Sequence, residues 1–230
     1  MLETAQLPVL DPAEAYSLWA PTYDRETAVS LLDNSLVSEL TPPLPGRRLL
    51  DVGCGTARRL IVAGAASATG VEPCREMIAA GAVNAAGRAG VRILEGHAGN
   101  LPVGDGSFDV IWCRLVLGHI AGLAAPYSEM ARALAVGGTL VVSDFHPDAE
   151  ARGHRRTFRS ASGVHEITNY AHSIADHAAV AGRCGLAFVD QSEGRVGPPV
   201  RHLYAERGRL ADYEHDMGIP LVFALRFERR

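Results

Sequence analysis

The chain has 230 residues, 47% of them hydrophobic, enough for one sizeable core and short for two, so residues 1–230 are expected to form a single domain. A net charge of −4 with both signs interspersed leaves no basic stripe for DNA or RNA. No apolar run approaches the ~20 residues of a membrane span, and Met1-Leu-Glu-Thr lacks the basic start of a secretion signal, so a cytoplasmic protein is expected. Lysine does not occur, which excludes lysine Schiff-base chemistry, and Cys54, Cys74, Cys113 and Cys184 show no zinc spacing, which points to reduced, buried thiols.

In chain order, Tyr16-Ser-Leu-Trp19-Ala-Pro-Thr-Tyr23-Asp24 precedes a helix predicted over Glu26–Leu40, where Val29, Leu32, Leu36 and Leu40 recur at helical spacing. Pro42, Pro43, Pro45 and Gly46 stop it. The stretch from Arg48 to Glu72 organises the rest. Leu49, Leu50 and Val52 predict a strand that runs through Asp51 into the turn Gly53-Cys54-Gly55, then a helix, then a second strand that ends on Glu72. Gly53 and Gly55 let the backbone approach a ligand, and the expected helix presents its unpaired N–H groups there. A carboxylate at position 72 is placed to accept both hydroxyls of a ribose, which makes the stretch a nucleoside-binding device. Arg58 occupies a position where the dinucleotide fingerprint needs a small residue, and this argues against NAD.

The run Asp51-Val-Gly53-Cys54-Gly55-Thr-Ala57 resembles the first motif of class I S-adenosylmethionine-dependent methyltransferases, with Ala57 in place of the third glycine. The resemblance is to the small-molecule, UbiE-like group (methyltransferase type 11). It implies a Rossmann-like α/β fold: a seven-stranded, mostly parallel sheet with an antiparallel last strand and helices on both faces. It also implies S-adenosyl-L-methionine as cofactor, S-adenosyl-L-homocysteine as product and a small-molecule acceptor. The W-A-x-x-Y-D element at Trp19 to Asp24 resembles the family's lid over the cofactor, so residues 1–45 are expected to form a helical lid. Tyr23 would then touch cofactor, and Tyr16 and Trp19 substrate.

After Glu72, Pro73 opens a helix in its tolerated first turn, and Met77 lies where the family places a residue against adenine, although a core methionine reads the same. Val91–Glu95 is a third strand leading to Gly96-His97-Ala98. The family usually has aspartate where His97 stands, and His97 or the backbone of Ala98 would take the adenine amine. Gly104 to Trp112 matches the fourth motif, a turn and a buried strand, with Asp109 in a structural role. The backbone around Cys113 and Arg114 would meet the cofactor's amino-acid end. His119 follows that strand, and His146 follows the next, Thr139–Ser143, after a helix over Glu129–Leu134 ended by Gly137-Gly138.

Two histidines at the carboxyl ends of adjacent strands form the strongest catalytic signal, so His119 and His146 are the candidate bases, each also a substrate contact. Arg152, Arg155, Arg156 and Arg159 lie in the segment 150–170, which includes a hairpin over 157–170, inside a substrate-pocket insertion at 145–175 that offers Tyr170 and His172. A solvated arginine face accounts for the charge run equally well. A helix over Ile174–Gly182, a strand over Leu186–Asp190, a helix over Leu203–Tyr213 and a strand over Pro220–Phe227 complete the pattern.

No metal-ligand spacing is present, so transfer is read as metal-free, with a histidine taking the acceptor's proton. Methyl transfer to oxygen, carbon or nitrogen of a biosynthetic or natural-product intermediate is the first expectation. The alternatives are the same fold and cofactor used for decarboxylation or cyclisation, or a cofactor-bound interaction module. A homodimer is compatible with all three.

Overall fold

The computed structural model describes residues 7–230. Its elements are β1 (Val9–Leu10), α1 (Pro12–Trp19), α2 (Ala28–Leu40), β2 (Arg48–Val52), β3 (Ser67–Glu72), α3 (Arg75–Ala85), β4 (Val91–Glu95), β5 (Phe108–Arg114), α4 (Ala124–Ala133) and β6 (Leu134–Phe145). There follow α5 (Pro147–Ala151), β7 (Thr157–Ser160), β8 (Gly163–Ile167), α6 (Ile174–Arg183), β9 (Leu186–Arg195), α7 (Arg201–Ala205), α8 (Leu210–Asp216) and β10 (Pro220–Arg229). Among the described residues no helix is long and apolar enough to cross a membrane.

The near-continuous apolar runs of β2, β5 and β6 suit strands covered on both faces, and they form the centre of a seven-stranded sheet in the order β4-β3-β2-β5-β6-β10-β9. β4, β3, β2, β5 and β6 run parallel. β10 is antiparallel to both β6 and β9. This is the Rossmann-like methyltransferase sheet with its expected antiparallel last strand. Alternation along each strand sends consecutive residues to opposite faces. Leu50, Val52 and Ile111 pack with Tyr127 and Met130 of α4 and Ala181 of α6. Leu49, Val110 and Trp112 pack with Leu32, Leu36 and Val37 of α2. α2 starts at Ala28, because Thr27 and Ser30 form a reciprocal capping box ahead of it.

A second, three-stranded sheet joins two stretches far apart in the chain: β1 runs parallel to β8, and β8 antiparallel to β7. Trp19 stacks on Phe158 with ring centres 5.3 Å apart, over a small core of Ala15, Phe158 and Ile167. The N-terminal segment and the 145–175 insertion thus fold on each other.

The helix expected after the glycine turn is not formed. Residues 53–66 make turns and a single 3-10 turn at Leu60–Val62. Ala57 is left-handed (φ 55°) and so is Gly64 (φ 73°), and the residues between them are too few to nucleate a stable helix. The loop is tied down by side chains instead. Thr56 donates its hydroxyl to Asp24, Asn84 donates to the Thr56 carbonyl at 3.0 Å, and Arg59 pairs with Glu26 at 2.8 Å.

Smaller differences follow from register. α4 spans Ala124–Ala133, ending before Gly137-Gly138, which lie inside β6; a register shift opposite Phe108 and Val110 accommodates them. The predicted Leu203–Tyr213 helix is two short ones, α7 and α8. The hairpin over 157–170 is present as β7 and β8. Asp109 accepts from the backbone N–H of Arg48 at 2.8 Å and from its guanidinium, which anchors the start of β5.

Candidate functional site

Parallel strands end their ladders on one edge, and the loops leaving that edge open a cleft there. The cleft holds a cavity of about 340 Å³ lined by Gly53, Gly55, Glu72, Pro73, Cys74, Gly96, His97, Ala98, Arg114 and the 115–120 turn, with Asp11, Pro12, Ala13, Tyr16 and Tyr23 closing it from the N-terminal segment. That volume is in the range of small-molecule sites. Gly53 has φ +72°, and a Cβ on it would stand 2.3 Å from Cγ2 of Val116; a Cβ on Gly55 would meet the Tyr23 ring at 3.2 Å. Only bare backbone lets the loop pass here.

Glu72 is 6% exposed and faces the glycine turn. Its Oε2 accepts from Gly55 N–H at 2.9 Å and its Oε1 from Cys74 N–H at 3.0 Å. Burial raises its pKa, and the two backbone donors oppose the rise without cancelling it. Asp51 lies deeper, with Oδ1 buried and unpartnered among the described residues; burial drives its pKa up to about 7. Arg114 is held by a buried pair with Asp33 at 2.5 Å. A glycine cradle, a carboxylate beside it and an unsatisfied buried acid fit a ligand that brings hydroxyl donors and a cationic group.

Eight of the expected cofactor residues line this cleft: Tyr23, Gly53, Gly55, Glu72, Pro73, His97, Ala98 and Arg114. Four do not. Asp51 lies beneath its floor. Cys54 turns its sulfur toward the sheet, where a Cβ on Gly70 would come within 2.4 Å of it. Met77 is fully buried in α3 and Cys113 fully buried in β5, so neither side chain lines the cavity.

A second cavity of about 310 Å³ adjoins the first, and Tyr16, Tyr23 and Leu115 line both. Leu115 is left-handed (φ 59°), a strained conformation for a leucine at the point where the cavities meet. Trp19 lines the second cavity, with Phe145, Ile167 and Leu221 as apolar surface.

At the edge of this junction sits His119. Its Nδ1 lies 3.0 Å from the Thr168 carbonyl, which accepts only, so Nδ1 carries the proton. Nε2 is then the acceptor for the Tyr16 hydroxyl at 2.9 Å. Burial, reinforced by Arg156, pushes the imidazole down to about 3, so the ring is neutral at neutral pH. Burial pushes the Tyr16 phenol up.

His146 leaves β6 in the expected place and then diverges. It caps α5, with Pro147 at the first helical position and Nδ1 accepting from Asp148 N–H at 3.1 Å, and its Nε2 faces Glu193 at 3.5 Å. It lines neither cavity. Tyr170 is 42% exposed and His172 donates from Nε2 to the Ile120 carbonyl at 2.8 Å; neither lines a cavity. Their contacts brace the 118–120 turn, where Tyr170 N–H donates to the Gly118 carbonyl.

The sequence reading missed Arg25, Arg58, Arg207 and Leu115. For the arginine run it left a pocket wall and a solvated face equally open, and the solvated face describes Arg152 and Arg159. Arg156 instead is half-buried, pairs with Asp144 at 3.0 Å and donates to the Leu115 carbonyl at 2.8 Å.

Residues 50–142 match the family described as Methyltransferase domain. The uncharacterized methyltransferase YcgJ of Bacillus subtilis is 30% identical over 128 residues, 52% of this chain and 51% of that protein. A demethylmenaquinone methyltransferase of Staphylococcus epidermidis is 32% identical over 101 residues, 42% of each. The chain thus spans about half the length of these curated relatives or less. Among solved structures, an S-adenosylmethionine-dependent methyltransferase from Mesorhizobium loti superposes with a TM-score of 0.66 at 20% identity, over 88% of this chain and 98% of that one.

Proposed function

We propose that the chain, whose residues 50–142 match the family described as Methyltransferase domain, is a class I S-adenosylmethionine-dependent methyltransferase that methylates oxygen, carbon or nitrogen of a small-molecule acceptor. The observation that carries this reading is the pair of cavities meeting at Tyr16, Tyr23 and Leu115. One has the donors and carboxylates that fit a nucleoside; the other is free to take an acceptor. Glu72 would hold the ribose, His97 and Ala98 the adenine, and Arg114 the amino-acid end, with Asp51 beneath the floor. Residues 7–45 and 145–175 would act together as lid and acceptor wall, since β1 pairs with β8. The relative named for demethylmenaquinone, together with the Trp19 and Tyr16 wall, supports an aromatic acceptor.

S-adenosylmethionine supplies a methyl group already activated for displacement, which leaves the protein to position the acceptor and remove its proton. Tyr16 lies in both cavities and hydrogen-bonds His119, so its hydroxyl orients the acceptor and passes a proton to Nε2. An imidazole held near 3 is too weak to ionise a phenol in advance. A hydroxyl that has just taken a methyl group is a far stronger acid than that imidazolium, so proton loss after transfer runs downhill. The Thr168 carbonyl fixes the ring for this task and takes no proton itself.

Incubation with methyl-labelled S-adenosylmethionine and a panel of aromatic acceptors tests the proposal, and calorimetry with S-adenosylhomocysteine tests the cleft alone. Failure to bind S-adenosylhomocysteine overturns the reading. The weakness of His119 as a base also favours a second reading, in which the cofactor is retained while the acceptor cyclises or decarboxylates. Substrate loss without S-adenosylhomocysteine release would select it.

A further inference from the structure

Six arginines line the second cavity, Arg25, Arg58, Arg155, Arg156, Arg207 and Arg209, against one lining carboxylate among the described residues, Asp216. Their pairing is uneven. Arg156 is neutralised by Asp144 at 3.0 Å and Arg209 by Asp212 at 2.5 Å; Arg155 has Glu166 at 3.7 Å, and Asp216 faces His154 at 3.4 Å. Among the described residues, Arg25 and Arg207 have no carboxylate within ion-pair distance.

Arg207 is nonetheless fixed in place. It donates to the Leu203 carbonyl at 2.9 Å and, across the cavity mouth, to the Glu26 carbonyl at 2.9 Å, which uses two of a guanidinium's five N–H groups. Arg58 lies over the Tyr23 ring at 5.8 Å and donates one N–H to the Asp24 carbonyl at 2.8 Å, while the Asp24 and Glu26 carboxylates stand at 3.9 Å, beyond hydrogen-bond distance. Tyr23 belongs to both cavities, so this cation stands beside the place where they meet. Phe145 and Leu221 are among the residues that supply its apolar surface.

Like charges gathered around a partly enclosed space repel one another, and an entering anion relieves that repulsion while taking up unused donors. We propose that this chamber selects an oxyanion-bearing ligand: an apolar or aromatic body that rests on Phe145 and Leu221, with a carboxylate or phosphate held by Arg25, Arg58 and Arg207. Naming that ligand the methyl acceptor rests on the methyl-transfer reading. Anion selectivity itself does not.

The test is calorimetry on the full chain saturated with S-adenosylhomocysteine, using 2-naphthoate, 2-naphthyl phosphate and the neutral 2-naphthamide as probes. The anions are expected to bind at least tenfold more tightly than the amide, with affinity falling as salt rises. Which of the two anions binds better tells a carboxylate site from a phosphate site. Arg25→Gln with Arg207→Gln should cost the anions about tenfold and leave the amide unchanged, the amide serving as control for an intact chamber. Equal binding of amide and anions, or anion binding indifferent to both substitutions, overturns the proposal. Absence of S-adenosylhomocysteine binding alone would fell the methyl-transfer reading, and the same probes titrated into the free protein would still decide anion selectivity.

Discussion

Replacing Glu72 by glutamine removes a charge and keeps the shape. The carboxylate receives two backbone N–H groups, from Gly55 at 2.9 Å and Cys74 at 3.0 Å, in a setting 6% exposed to water. An amide offers one oxygen, so the other N–H faces an NH₂ group. Losing a bond to a charged acceptor costs about 1.5–3 kcal/mol, and stranding a buried donor costs on the order of 1–3 kcal/mol. These terms overlap, and a net loss of about 2–4 kcal/mol in folding stability is expected. For a chain of this size that lowers Tm by roughly 5–15 °C. If the same carboxylate holds ribose hydroxyls, S-adenosylhomocysteine affinity should fall by roughly 10–100-fold, equivalent to the loss of one charged hydrogen bond. Calorimetry at 15 °C, well below the variant's melting point, separates the two effects. An unchanged Tm would refute the loop contact, and a Kd within twofold of the parent would refute the ribose role.

Gly53→Ala puts a methyl carbon 2.3 Å from Val116 Cγ2 at φ +72°, and should cost about 2–4 kcal/mol in urea unfolding; parental stability would show that the turn yields freely. Tyr16→Phe and His119→Gln should each lower kcat by about 10²-fold with the cofactor KM unchanged, whereas His146→Ala should leave kcat alone and cost about 1 kcal/mol of stability through the lost cap. Equal losses at His119 and His146 would restore the symmetric reading of the two residues. Burial depresses His119 to about 3 and His177 to about 4, so both are neutral when folded and protonate below about 6.5 when unfolded. Between those values the unfolded chain binds more protons, and their contribution to stability is full above pH 6.5 and declines as pH falls toward 4. Tm measured from pH 7 to pH 4.5 should drop, with a shallower slope in His177→Gln; parallel slopes would remove His177 from the account. Turnover should show no inflection near pH 6.5, and finding one assigned to His119 would contradict its burial.

The sheet was legible because its strands are long apolar runs ending on glycine or acidic residues, and period-2 patterns survive whatever packs over them. The cradle at Gly53, Gly55 and Glu72 was equally legible, since small residues at a strand end and a carboxylate at the next have few other uses. Where the reading failed, a local feature overrode a longer pattern. Arg58 to Val62 has helical composition, yet Ala57 and Gly64 are left-handed on either side of it. His146 stands before Pro147, and a residue followed by proline at a helix start is a cap, a signal that outweighed strand adjacency. The arginines of the second cavity come from residues 25, 58, 155, 156, 207 and 209, and no sequence spacing announces that these stretches meet.

Asp24 bonds to Thr56, Thr56 to Asn84, and Asn84 back to Asp24 at 3.3 Å. This triangle fastens the turn after α1, the glycine loop and the end of α3 to one another. Tyr23, beside Asp24, lines both cavities, so on the proposed reading an opening that admits a nucleoside would move the glycine loop and the start of the arginine chamber together. On that reading, exchange of reactants at the two cavities would be a single correlated event, with one rate for the spent nucleoside leaving and the next acceptor arriving.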